Sequence, residues 1–297
     1  MRGLHELLER PSKRILAKFG YVLKRRQPRP NLALYRRAFS ERSIEQRRFY
    51  NVGAGRFRHP CWTNIDHGTE WYAAQQRSGA HLEWDMMSSA PLPIATATAE
   101  IVYSSHTIEH VTNAAGRHFF AEAHRSLKPG GILRITCPDV DLALSAYRRS
   151  DREFFYWQAM YQRPEQYERI QLKRPLTEAS VAQLLLWFFA THAAELHADG
   201  AAVRVSDAEL ASWLEAEPVE QVLDRCTALC VPEKQSQYAG NHINWYNARK
   251  LIDALSAAGF GEVWQSGYGQ STLPVLRDLA FFDNTHPKMS LYVEARR

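Results

Sequence analysis

Cysteine is scarce in this sequence: Cys61, Cys137, Cys226 and Cys230 are the only four among 297 residues. Disulfide scaffolds are short and cysteine-dense, so no disulfide framework is expected. Cys226 and Cys230 lie four apart and would share a helical face. No further ligand pair follows at zinc-site spacing, and buried core thiols are the expected state. Long apolar runs are also missing. The most apolar run, residues 184–190, falls far short of the roughly 20 residues that cross a bilayer. Arg2, Glu6, Glu9 and Arg10 interrupt any apolar core of a secretory leader, so the expectation is a cytoplasmic protein. No internal repeat and no low-complexity tract is seen, which excludes solenoid arrays and leaves one large domain, or one domain with a substantial insertion.

What is present is unevenly charged. The net charge is +5, yet residues 1–48 hold 14 Lys/Arg against 4 Asp/Glu, so the remainder is acidic. A basic arm on a mildly acidic body points to an anionic partner for the arm alone. Within it, Leu4, Leu7, Leu8, Ile15, Leu16, Phe19, Val22 and Leu23 recur at spacings of three and four. That pattern predicts an amphipathic helix over 1–26, packed on protein or lying as a peripheral contact on an anionic membrane face. Pro28 and Pro30 break it, and a short basic helix is expected over 31–48. No nucleic-acid recognition motif follows the arm, so no nucleic-acid partner is expected.

Strand-like runs follow at 49–53, 62–66, 81–85, 100–105 and 131–137, with a helix at 113–127 that Lys128-Pro129-Gly130-Gly131 should end. Strands separated by helices or long crossovers imply a parallel sheet with helices on its faces. The first strand enters a turn, Gly53-Ala54-Gly55, and the second ends on Asp66. Strand, glycine turn, strand and terminal acid are the pattern of a Rossmann-like nucleotide floor. Residues 142–240 read as a helical insertion, either a lid or an oligomer contact, with Ser206 as a helix N-cap. A helix at 247–258 and strands at 261–264 and 290–294 complete the sheet. The expected organisation is therefore a basic arm (1–48), a Rossmann-like core (49–141), a helical cap (142–240) and the C-terminal completion of the core (241–297).

Three segments sharpen this reading: NVGAG at 51–55, SSHTIEHV at 104–111 and LKPGG at 127–131. Together with Asp66 and Trp84-Asp85-Met86 they resemble class I S-adenosylmethionine-dependent methyltransferases, in particular the small bacterial branch with a clipped first loop. The resemblance covers 49–141 closely and 241–297 loosely. It implies a Rossmann-like, mostly parallel seven-stranded α/β sheet with a helical insertion, and S-adenosyl-L-methionine as cofactor. It further implies that the Gly53-Ala54-Gly55 backbone approaches the methionine part, Asp66 the ribose, and Asp85 and Met86 the adenine, while Ser105 and His106 line the methionine side. Asn51 stands where many of these enzymes carry an acid. Asp66 follows Gly53 by only 13 residues, so the first helix must be very short. Phe57 and Arg58 replace the third glycine that a nicotinamide fingerprint requires.

Methyl transfer to a hydroxyl gains from a base of near-neutral pKa, for which histidine is suited. His106, Asp139 and His242 are the candidate catalytic residues; His110 is expected to pack or cap. His106-x-x-Glu109-His110 also places three ligand types on one face of the expected helical turn, but no metal is expected there. The family analogy and the arm point to O-methylation of a glycan or lipid-linked saccharide at the cytoplasmic membrane face. A small soluble metabolite as acceptor, or a non-catalytic cofactor-binding protein, are the competing readings.

Overall fold

The computed structural model describes residues 28–68, 81–198, 203–236 and 238–297. The chain divides into two compact units, Met1–Pro30 and Asn31–Arg297. The amphipathic helix expected over 1–26 lies outside the described residues. The second unit opens with two short helices, α1 (Leu32–Ala38) and α2 (Glu41–Glu45). Seven strands follow: β1 (Phe49–Val52), β2 (Trp62–Asp66), β3 (Leu82–Glu83), β4 (Ala99–Ser105), β5 (Leu127–Pro138), β6 (Glu262–Gln265) and β7 (Ser290–Arg296). They form one sheet in the order β3-β2-β1-β4-β5-β7-β6. Pairings among β1 to β5 are parallel, and β7 runs antiparallel to β5 and β6. The chain order reverses between β1 and β4, and at such a switch point the carboxyl ends of the strands open a crevice for ligands.

The helices that matter for the site are α3 (Asn113–Ser126), α4 (Val140–Arg148), α5 (Val181–Phe189), α6 (Asp207–Ala216), α7 (Val219–Ala228) and α8 (Ala248–Ala257). Each starts where local chemistry dictates. Thr112 accepts from the Ala115 N–H, Ser206 forms a capping box with Glu209, and Asn247 accepts from the Lys250 N–H. Alternation along the strands then separates two cores. Val102, Leu133 and Ile135 pack under Phe119 of α3 and Leu251 and Leu255 of α8. Ile101 and Tyr103 face the other way, onto Phe49, Trp62, Phe282 and Tyr35 of α1. The insertion has a core of its own, built on Phe155, Trp157, Leu184, Phe188 and Val222. Phe155 and Trp157 are thus buried among apolar neighbours, and Cys226 and Cys230 are buried free thiols.

Local differences from the sequence expectation have physical causes. No helix at all stands between β1 and β2: residues 53–61 are turns, too few for a helix once a glycine turn has reversed the chain. The Lys128-Pro129-Gly130-Gly131 run does not cap α3 but lies inside β5, which begins at Leu127. Gly130 takes φ +77 and donates to the Arg297 carbonyl, and the register of β4 against β5 shifts between Ala99 and Ile101. The terminal strand supplies partners that a sequence window does not see. His242 precedes α8 in an extended segment instead of starting it.

One buried charge cluster fixes the C-terminal segment that later reaches the site. Arg134 on β5, Asp283 and Glu294 are all fully buried. The guanidinium uses all five N–H donors. Nε and Nη2 reach Asp283 at 3.0 and 2.6 Å, Nη1 reaches Glu294 and Ser266 Oγ, and Nη2 also reaches the Gly267 carbonyl. Burying charges is costly unless each is fully paired, and here every donor has an acceptor.

Candidate active site

The carboxyl ends of β1, β2 and β4 build the floor. Gly53 (φ +72) and Gly55 (φ +49) both occupy the left-handed region that glycine tolerates. The Gly53 and Ala54 N–H groups donate to the Ile65 carbonyl, which folds the turn back over β2. A Cβ on Gly53 would lie 2.2 Å from Thr107 Oγ1, so the close approach at this glycine is made by a side chain of the loop after β4. Asp66 answers from the end of β2. Its Oδ2 accepts from the Gly55 N–H at 2.7 Å and its Oδ1 from the His67 N–H at 2.9 Å. Each oxygen keeps a lone pair, so the carboxylate can still accept from two hydroxyls. Asp85 turns its Oδ1 to the Met87 N–H at 2.8 Å, and Met86 is buried in the core. Asn51 is buried on β1, and its Oδ1 has no hydrogen-bond partner among the described residues.

The wall is the segment 104–111. Ser105 Oγ bonds Thr136 Oγ1 on β5 at 2.7 Å. His106 has φ +52, and its N–H donates to the Thr136 carbonyl. This turns its ring between two neighbours. Nδ1 lies 3.2 Å from Glu109 Oε1, and Nε2 lies 2.7 Å from Ser290 Oγ at the start of β7. Ser290 Oγ also lies 2.8 Å from the His286 carbonyl, to which its hydroxyl can donate once Nε2 carries a proton. The His286 ring stands 5.6 Å from that of His106, and Tyr156 of the insertion reaches His286 Nδ1 at 2.8 Å. The Arg134 cluster fixes the segment that carries these C-terminal residues.

Residues 59–135 match the family model described as a methyltransferase domain. This part of the chain carries the sequence pattern of a methyltransferase domain. The match takes in β2 to β4, most of β5 and the 104–111 wall, and it starts just past the glycine turn. Similar solved structures include the S-adenosylmethionine-dependent methyltransferase of Mesorhizobium loti, at 15% identity over 84% of this chain and 90% of that one, with a TM-score of 0.38. A methyltransferase of Thermotoga maritima is 13% identical over 89% of this chain and 92% of that one, with a TM-score of 0.37. No curated protein matches the sequence.

S-adenosylmethionine is the cofactor that the resemblance to methyltransferases implies, and the end of β2 offers a residue that suits it. Asp66 would hold the ribose, since each of its oxygens can still accept from a hydroxyl. The structure also brings in residues that the sequence reading left out of the site. Glu109 is 2% exposed, although it is a carboxylate. Burial alone pushes its carboxyl up; the surrounding histidines, His110 and His106 foremost, outweigh this and hold it low and ionised. His242 is pushed down to about 4, chiefly by burial and then by His110, so it is neutral at pH 7. Asp139 accepts from the Asp141 N–H at 3.0 Å and caps α4, while burial raises its carboxyl. Lys250 on α8 donates to Asn244 Oδ1 at 3.0 Å and lies 4.0 Å from the centroid of the Trp245 ring. A lone acid flanked by two histidines was the one sequence sign of Glu109. Ser290 and His286 carried no sign, being some 180 residues away.

Proposed function

We propose that the enzyme O-methylates a hydroxyl of a glycan or lipid-linked saccharide, with His106 as the base. The observation that carries this is the placement of His106 at the carboxyl end of β4, between Glu109 and Ser290. Bound S-adenosylmethionine supplies an electrophilic sulfonium methyl. The protein must align a nucleophilic oxygen with it, exclude water and take up the proton. Glu109 faces Nδ1 and favours a proton there, which leaves Nε2 to accept one. An acceptor hydroxyl that replaces Ser290 Oγ at Nε2 would deliver its proton to that nitrogen.

Support for a saccharide comes from Tyr156, Lys288 and His286, which set an aromatic and polar surface beside His106. Sugar rings stack on such surfaces and hydrogen-bond at their edges. The basic stretch 1–26 is proposed to hold the enzyme at the anionic membrane face where a lipid-linked saccharide resides.

The test is transfer of labelled methyl from S-adenosylmethionine into cell extract fractionated into lipid-linked saccharides, polysaccharides, small metabolites, protein and nucleic acid. The expected label is an alkali-stable ether in a saccharide fraction. His106→Ala should cut transfer by about 100-fold or more while cofactor binding persists. Label confined to another fraction overturns the acceptor, and unchanged turnover in His106→Ala overturns the base.

A further inference from the structure

The sequence spacing placed His106, Glu109 and His110 on one helical face; the fold takes that face apart. Residues Ile108–His110 form a single 3-10 turn, and the φ of His106 sends its ring to Ser290. A different set converges. One ligand atom each from Glu109, His110 and His242 lies within 4.8 Å of the others.

The hydrogen bonds behind this set decide which atoms face inward. His110 Nδ1 lies 3.0 Å from the Asn241 carbonyl, and His242 Nδ1 lies 2.5 Å from the Phe188 carbonyl. A carbonyl only accepts, so each Nδ1 carries the proton and each neutral ring keeps its lone pair on Nε2. His110 Nε2 lies 3.7 Å from Glu109 Oε1, and the two imidazole rings meet edge to face at 4.8 Å. Neither Glu109 oxygen has a partner in hydrogen-bond geometry among the described residues. Two nitrogen lone pairs and a buried carboxylate thus converge, with His106 Nδ1 at 3.2 Å from Glu109 Oε1 beside them, and such a convergence of lone pairs favours a cation.

We infer that Glu109, His110 and His242 bind a divalent transition-metal ion of the zinc type. The donor set of two imidazoles and one carboxylate is one that zinc accepts, leaving a fourth position for water or a substrate oxygen. In protein metal sites, a ligating histidine usually gives its other N–H to a carbonyl or carboxylate, and both histidines do so here. Tetrahedral bonds of about 2.1 Å set the donors roughly 3.4 Å apart, so the cluster needs to close by little more than an ångström. The backbone is already braced for this. The Glu109 carbonyl accepts from both the Ile243 and Asn244 N–H groups, and the Thr191 N–H donates to the His242 carbonyl. The ion would join the β4 wall, the 241–247 segment and α5 of the insertion. The inference does not rest on the identity of the methyl acceptor.

The test uses full-length protein, stripped with chelator and then titrated with Zn2+ and with Co2+. Wild type should recover an equimolar amount of Zn2+, and Co2+ should give the strong visible bands of a four- or five-coordinate site. Glu109→Gln and His242→Gln should each weaken Zn2+ binding more than about 100-fold, while His118→Gln, on the exposed side of α3, should leave it unchanged. S-adenosylmethionine titration of every variant reports folding separately, and His110→Gln replaces any that fails it. Absence of tight Zn2+ and of a low-coordinate Co2+ spectrum in wild type overturns the inference. So does unchanged Zn2+ affinity in variants that still bind the cofactor.

Discussion

Adding one methyl group at Gly53 imposes two separate costs, which a mutant cycle can pull apart. In Gly53→Ala the new Cβ would stand 2.2 Å from Thr107 Oγ1 and 2.5 Å from Thr107 Cγ2. It must also hold φ +72. The left-handed conformation costs an alanine about 1–2 kcal/mol. Forcing the Thr107 side chain aside costs about 1–3 kcal/mol more. Gly53→Ala should therefore destabilise by about 2–5 kcal/mol in urea unfolding, with the denaturant slope unchanged. Thr107→Ala alone loses only a long bond to the Ser105 carbonyl, at 3.3 Å, and should cost about 1 kcal/mol or less. It removes the two closest atoms and leaves a Cβ at 2.9 Å. The double variant should then recover much of the steric part but none of the backbone part, a coupling of about 1–2 kcal/mol. Cofactor affinity by calorimetry should follow the same order, because the turn is the floor. A Gly53→Ala cost under about 1 kcal/mol, or a double variant equal to the sum of the singles, would refute the reasoning.

Arg134→Met strands two buried carboxylates and should cost about 3–5 kcal/mol; the same substitution together with Asp283→Asn and Glu294→Gln should recover most of it, and equal destabilisation of both variants in urea would contradict the pairing argument. Burial brings the Lys250 amine down from its ordinary 10.5 to about 8. Below pH 8 both folded and unfolded chains hold this proton and the full burial penalty stands; between about 8 and 10.5 the unfolded chain holds more, so stability rises with pH across that window, by at most about 3 kcal/mol. Lys250→Met should be more stable than wild type at pH 7 and lose that rise, and a variant that keeps the slope would show that another group causes it.

Much of the framework could be read along the chain. The strand alternation that sorts Ile101 and Tyr103 from Val102, the glycine turn after β1, the acid ending β2 and the caps at Thr112, Ser206 and Asn247 are short-range signals, set by each residue's own backbone and its nearest neighbours. That is why the seven-stranded sheet and the glycine turn beside Asp66 were legible. Segment boundaries were less so: the Lys128-Pro129-Gly130-Gly131 run looks like a helix stop, and only pairing with the terminal strand makes it part of β5.

The chemistry above the floor belongs to the tertiary structure. The sequence supplied His106, Glu109, His110 and His242 as residues able to hold protons or metal, but not their grouping. His106 is turned to Ser290 by a left-handed backbone and by strand β7, which the sheet order places beside β5. Glu109 is forced inward between apolar Ile108 and Val111, and the 241–247 segment then lays His242 against it. Residue type and local spacing fix which atoms can act as bases or ligands. Which of them meet, and with which proton on which nitrogen, is set by the carbonyls of Asn241 and Phe188, and those reach the site only when the chain has folded.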